Sequence, residues 1–361
     1  MPEAPEWVRT PDPPGRRNLD TLPKAHLHLH FTGSLDVPTL TDLARRAGQR
    51  LPEQLHDEHA LSVPATARGW YRFQRTYDAA RHSVNSELAL RTVVRLAAAR
   101  DAAEGACRLE LQIDPTSYAP FTGGLAGALE IVLDEARAAS AAHDLQVAII
   151  VAASRMRHPI EARTLARLAA KYAGTGPGEV VGFGLSNDEW AGDTPEWEGA
   201  FRIAAKAGLR AVPHGGELRG ADHVRQVAHA LHPARLGHGV RATEDARLLD
   251  QLVRTGIAFE VCPASNVHLG VYARLADVPL HALLAAGATV ALGADDPLLF
   301  RARLSDQYRI ARDVHGLTDA ALAALAAASI RASFAPEADK RVWLAAVDAW
   351  LAAPPPAPLA P

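Results

Sequence analysis

Cysteine is nearly missing from this chain: its 361 residues carry two, Cys107 and Cys262, each inside an apolar run. So sparse a supply excludes a disulfide-stapled scaffold, and both read as buried reduced thiols. An excess of charge of one sign is lacking too. The net charge is −3 with both signs interspersed, so neither nucleic acid nor an anionic membrane is expected as a partner. No apolar run approaches the ~20 residues that a bilayer-spanning helix needs. Met1 to Pro14 are acidic and proline-rich, without the charged and apolar segments of a secretory leader, so a soluble cytoplasmic protein is expected.

What is present is apolar bulk. Hydrophobic residues make up 48% of the chain, enough for a large core in one big domain or two. Residues 1–19 read as a flexible arm, 20–352 as a single catalytic domain and 353–361, rich in proline, as a disordered tail.

The most informative stretch runs from Pro23 to Ser34, PKAHLHLHFTGS. His26, His28 and His30 alternate with aliphatic residues, which is the period of a β-strand, so all three imidazoles are expected on one face. Thr32 is next on that face, and Gly33 permits a sharp exit. Imidazoles two apart at a strand end can reach one metal ion. A lone histidine is more often a satisfied core or surface residue; three beside a glycine turn point to metal, and further ligands must then come from downstream.

Strand-like segments at 106–113, 145–152, 180–185, 210–214, 235–237, 257–261 and 288–292 follow the histidine strand. Helical patterns at 34–50, 87–103, 125–142, 158–172, 195–207, 222–231, 244–254 and 280–286 lie between them, with more from 304 onward. Eight strands alternating with helices predict one parallel (β/α)8 TIM barrel. Residues 51–67 read as a loop. Trp70, Tyr71, Phe73 and Tyr77 then fall within one or two helical turns, an extra segment after the first strand that suits a core stripe and a lid equally. In such a barrel the chemistry sits at the C-terminal ends of the strands. Titratable residues gather there: Ser186-Asn187-Asp188-Glu189, His214-Gly215-Gly216-Glu217, Gly237-His238-Gly239, Cys262 to Asn266 and Asp295-Asp296-Pro297.

His28-Leu29-His30, His214 to Glu217, Gly237 to Gly239 and Asp295 to Pro297 resemble, in order and spacing, the adenosine deaminase branch of the amidohydrolase superfamily; the likeness runs from Lys24 to about Phe300. By that resemblance His28, His30, His214 and Asp295 would bind one zinc ion per subunit, with iron(II) as the alternative metal. Glu217 would handle a proton at purine N1, His238 would position and help deprotonate the water, Asp296 would contact N7, and a backbone N–H, that of Asn187, would contact N3. Zinc lowers the pKa of bound water toward neutrality, and burial can keep a carboxylic acid protonated as a proton donor. His26 is expected to pack lower in the barrel; His158, His232 and His281 lie outside rim positions.

Departures from the family pattern bear on the substrate. Thr32 stands where enzymes acting on free adenosine carry an aspartate for the ribose 5′-hydroxyl, Gly184 where an aspartate often sits and Gln112 where an arginine often sits. Thr32, Gly33, Trp70 and Phe73 are therefore expected to line the substrate site, with Arg72 and Arg75 able to meet an aryl carboxylate. The expectation is hydrolytic deamination of a 5′-modified adenine nucleoside, as in the aminodeoxyfutalosine deaminase branch and menaquinone biosynthesis. Adenosine ranks second and free adenine third. A binding-only barrel is disfavoured because the ligands, Glu217 and His238 are all present. Ester or lactam hydrolysis would call for a lysine at the end of the fourth strand, where Ser186-Asn187 stands. The oligomeric state stays open.

Overall fold

Strands that are apolar on every residue must be covered on both faces, and only a sheet wrapped in helices does this. The computed structural model, which describes residues 16–354, has that arrangement. The strands are β1 (Lys24–His30), β2 (Ala106–Ile113), β3 (Gln146–Ser154), β4 (Val180–Ser186), β5 (Arg210–Gly215), β6 (Arg235–His238), β7 (Ala258–Val261) and β8 (Thr289–Leu292). They are parallel and ordered β1 to β8. A bridge between Leu29 and Asp295 joins the two edges, so the barrel is nearly closed, as the alternation predicts.

Between β1 and β2 lie three helices, α1 (Val37–Arg46), α2 (Ala67–Arg81) and α3 (Glu87–Ala103). Helix α1 is shorter than its sequence pattern: residues 32–34 form a 3-10 turn, the Asp36 side chain caps the helix by accepting the Thr39 N–H, and Gly48 takes a left-handed φ of 65°. Helix α2 is longer than the aromatic segment, because Thr66 caps it through the Gly69 N–H. The loop before it is tied down by Leu61 and Val63, whose N–H groups reach the carbonyls of Leu299 and His268.

The outer helices continue with α4 (Leu125–Ala142), α5 (Pro159–Lys171), α6 (Glu198–Lys206), α7 (Ala221–Leu231), α8 (Ala246–Arg254), α9 (Pro263–His268), α10 (Leu280–Ala285), α11 (Pro297–Phe300), α12 (Leu304–Asp313), α13 (Asp319–Ala332) and α14 (Glu337–Ala352). Residues 1–15 of the expected arm and 355–361 of the expected tail lie outside the described residues. The rest of the arm is packed: Leu19 is buried and Arg17 pairs with Asp319 at 3.3 Å. Cys107 and Cys262 are buried free thiols. Among the described residues no helix is long and apolar enough to cross a membrane.

One local feature corrects the sequence pattern. Between His26 and Leu29, strand β1 advances three residues while β2 advances two, a β-bulge. His26 therefore pairs with Leu109 and turns outward, its Nδ1 2.7 Å from Asp101 on α3, whereas His30 pairs with Gln112 and turns inward. The three imidazoles do not share a face, because one inserted residue inverts the alternation.

Candidate active site

Inward-facing β1 brings His28 and His30 to the barrel mouth, and the ends of β5 and β6 bring His214 and His238. Ring centroids of His28 lie 5.2 Å from His30, 4.8 Å from His214 and 4.7 Å from His238. Nitrogens of His28, His30 and His214 all fall within 4.8 Å of one another, a spacing that a single ion can bridge. Asp295, just past β8, places Oδ1 3.2 Å from His30 Nε2 and 3.5 Å from His28 Nε2. Gly237 is required here, since a Cβ on it would come within 2.5 Å of the His214 ring.

Buried acceptors aim this cluster. Glu260 Oε2 lies 2.7 Å from His28 Nδ1, leaving Nε2 to face the cluster, and Arg235 holds the other Glu260 oxygen while bonding Glu110 at 2.7 Å. Ser265 donates to Asp295 Oδ2. Burial opposes a charge on His28, but its hydrogen bonds to Asp295 and Glu260 outweigh it and raise the imidazole to about 10. Carboxylates that pull a proton so strongly would equally hold a cation. Burial would raise Asp295, yet hydrogen bonds from His28 and His30 hold it well below the carboxylate range. Burial first, then the neighbouring His28 and His30, push His214 well below an ordinary imidazole, as a neutral nitrogen ligand requires. The donor set of three imidazoles and one carboxylate therefore fits zinc or a similar divalent ion.

Around the cluster stand three groups suited to proton handling. Glu217 Oε1 is 3.5 Å from His238 Nε2. Burial, then the charges of Asp295 and Glu189, lift Glu217 well above the carboxylate range; burial and Asp295 do the same to Asp296. Both carboxyls are thus biased toward the protonated form, which can donate. Burial, then His28, lower His238 to about 4, leaving it neutral and able to accept a proton. Asn187, His238 and Asp295 all occupy left-handed backbone, with φ of 78°, 61° and 62°. Such conformations cost energy in non-glycine residues and gather where function demands them.

His30, Asn187, His214, Glu217, Asp295 and Asp296 open onto one cavity, lined also by Trp70, Phe73, Tyr77, Tyr118 and Gln112. Trp70 and Phe73 are buried, and Phe73 stacks on Phe300 at 5.7 Å, so the aromatic stripe is at once core and wall. Helical period settles the rest of that segment: Arg72 and Arg75 point to solvent, as does Tyr71 at 63% exposure, and none of them lines the cavity. Arg81, one face further along α2, does. Thr32 and Gly33 do not line the cavity as expected. The Thr32 hydroxyl is buried 2.7 Å from Tyr118 Oη, and Gly33 sits so close to Asp296 that a Cβ would fall 1.8 Å from its Oδ1. His158 caps α5, His232 ends α7, and His281 bonds the His315 carbonyl, all away from the site.

Glu260, Arg81 and Tyr118 were not singled out from sequence, and Ser265 was included only within the Cys262 to Asn266 stretch. A glutamate inside the apolar strand Ala258–Val261 is itself a signal, because charged residues are almost never fully buried without a partner.

The match to known proteins agrees with this geometry. Residues 23–350 match the family model described as adenosine deaminase. A protein of Streptomyces virginiae, provisionally named adenosine/adenine deaminase, is 53% identical over 336 residues, covering 93% of this chain and 98% of that protein. An aminodeoxyfutalosine deaminase of Acidothermus cellulolyticus is 32% identical over 301 residues, 81% of this chain and 83% of that protein. The crystal structure of an adenine deaminase from Arthrobacter aurescens superposes with a TM-score of 0.84 at 30% identity, over 92% of this chain and 100% of that one.

Proposed function

This chain belongs to the adenosine deaminase family, and from that premise we propose that it hydrolyses the C6–amino bond of an adenine ring, releasing ammonia, with free adenine as the preferred substrate. The observation that carries the chemistry is the convergence of His214 Nε2, Glu217 Oε2 and Asp296 Oδ1 on one cavity. All three are buried and none has a hydrogen-bond partner. Buried polar atoms are ordinarily paired, so these three await a ligand.

The residues divide the work. Zinc held by His28, His30, His214 and Asp295 would supply the Lewis acidity that makes water nucleophilic at neutral pH. Glu217, kept protonated, donates to N1 as water adds to C6, so the ring nitrogen is neutralised while aromaticity is broken. Neutral His238 takes the proton that the attacking water gives up. Asp296 donates to N7 and the Asn187 N–H to N3, holding the purine so that C6 faces the histidine cluster. As the tetrahedral carbon collapses, His238 passes its proton to the amino group, which leaves as ammonia, and the C6 hydroxyl returns a proton to Glu217, leaving the 6-oxopurine.

The preference for the free base revises the ranking drawn from sequence. Thr32, buried and paired with Tyr118, leaves the strand end that would meet a ribose 5′-hydroxyl without a carboxylate to accept from it. Adenine deaminase is also the printed name of relatives at 31% identity over 91% of this chain and of the Arthrobacter structure. A 5′-substituted nucleoside such as aminodeoxyfutalosine is the second reading. It is favoured by Arg81, which lines the cavity beside Ser117 and leaves Nε unpartnered, a group suited to a carboxylate. Steady-state rates on adenine, adenosine, 5′-deoxyadenosine, 5′-methylthioadenosine and aminodeoxyfutalosine test the choice. Highest kcat/KM on adenine is expected; highest on aminodeoxyfutalosine would overturn the free-base reading in favour of the second.

A further inference from the structure

Two more unpartnered atoms face the same cavity. Gln112 is 1% exposed, lines the cavity, and has neither its Oε1 nor its Nε2 in a hydrogen bond. It is in register with His30 across β1 and β2, so its side chain leaves the same inward face as a residue of the metal cluster. A buried amide with both atoms unpaired is destabilising, a cost that an apolar side chain at this position would avoid. His214, Glu217 and Asp296 in the same cavity share this property, and their partners under the proposed function are the metal, N1 and N7.

Strand order says which part of the purine reaches Gln112. Glu217 at N1 follows β5, Asn187 at N3 follows β4, and Asp296 at N7 follows β8. Around the purine perimeter N9 lies between N3 and N7, so it must face the strands between β4 and β8 on the other side of the mouth, β1 to β3. Gln112 on β2 is the unpartnered donor–acceptor there. Resting on the free-base reading above, we propose that Gln112 reads the N9 edge of adenine and discriminates the base from its N9-substituted derivatives. Its Oε1 accepts the N9–H, and its Nε2 donates to N3 alongside the Asn187 N–H. The amide's adjacent acceptor and donor match the N9–H and N3 pair across C4. A nucleoside lacks that proton and puts C1′ against the amide instead.

The test compares adenine with 9-methyladenine on the zinc-loaded enzyme and on Gln112→Met and Gln112→Glu, with zinc content and melting temperature measured alongside. The wild-type enzyme should prefer adenine by about tenfold or more. Gln112→Met, which keeps volume but no hydrogen bond, should lose that preference chiefly through a higher KM for adenine, with a smaller loss on 9-methyladenine, which offers Gln112 only N3. Gln112→Glu keeps the acceptor for N9–H and should retain the preference. A wild-type enzyme without the preference overturns the free-base reading, and this assignment with it. A preference that survives Gln112→Met, or equal losses on both substrates, overturns the assignment alone. Should Gln112→Met fail to fold, loss of the preference in folded Gln112→Glu has the same force.

Discussion

Glu189 Oε1 accepts the backbone N–H of Glu217 at 3.1 Å, and its Oε2 accepts those of Leu218 and Arg219 at 2.8 and 2.7 Å. One buried carboxylate thus clamps the loop that carries the proton donor. Burial alone would raise Glu189, but the hydrogen bond and charge of His223, the Arg219 N–H and Arg155 hold it at about 2. A carboxylate depressed in the folded state stabilises above its unfolded pKa and loses that contribution as pH falls through the folded value. The window here runs from about 4.5 down to 2, with a contribution on the order of 3 kcal/mol. Glu189→Gln should therefore flatten acid unfolding in this window, read by circular dichroism, and lower kcat about tenfold or more at pH 7 with zinc retained.

Glu217→Gln should keep fold and metal while losing at least about a hundredfold in kcat, since an amide has no proton to give N1. Stopped-time ammonia release with parallel metal analysis would show this. The raised pKa sets the sign of the wild-type profile: the active protonated form is lost as pH rises through the elevated value, so the limb assigned to Glu217 lies on the alkaline side. Near-full activity in Glu217→Gln would transfer the role elsewhere.

Removal of metal should abolish turnover and also loosen the fold. The imidazoles of His28, His30 and His214 converge in a spacing that could hold one ion, with Asp295 beside His28 and His30, and binding to the folded state alone stabilises by about 2.7 kcal/mol at a hundredfold excess over Kd. Calorimetry with a chelator and after zinc addition should show a reversible fall and recovery of Tm. His214→Ala should show the low Tm with zinc present.

Tyr118→Phe breaks the pair that occupies Thr32 and leaves a buried hydroxyl unsatisfied. The expected cost is about 1–3 kcal/mol, measured by urea unfolding. With Thr32 released, adenosine should gain relative to adenine in kcat/KM. An unchanged ratio would remove Thr32 from the account of specificity.

Much of the barrel was legible from residue order. The strand patterns at 106–113 and 145–152 and the helices at 87–103 and 125–142 coincide closely with β2, β3, α3 and α4, because buried strands and long amphipathic helices carry strong local signals. Motifs at strand ends located His28, His30, His214, Glu217, His238, Asp295 and Asp296, since barrel topology puts strand ends together whatever their separation in the chain. Their proximity in the structure follows from that topology.

Side-chain direction and pairing were not legible. A one-residue bulge sent His26 out to Asp101, and no local pattern records where a strand gains a residue. Helical phase turned Arg72 and Arg75 to solvent and brought Arg81 to the cavity. Thr32 announced a lost carboxylate, but only the structure showed its hydroxyl buried and paired with Tyr118, 86 residues away. Residue types and their order determine which chemistry can be assembled, because strand and helix periods are local. Which polar atoms are satisfied, and which remain open for a substrate, depends on neighbours from distant segments; only the tertiary structure decided that.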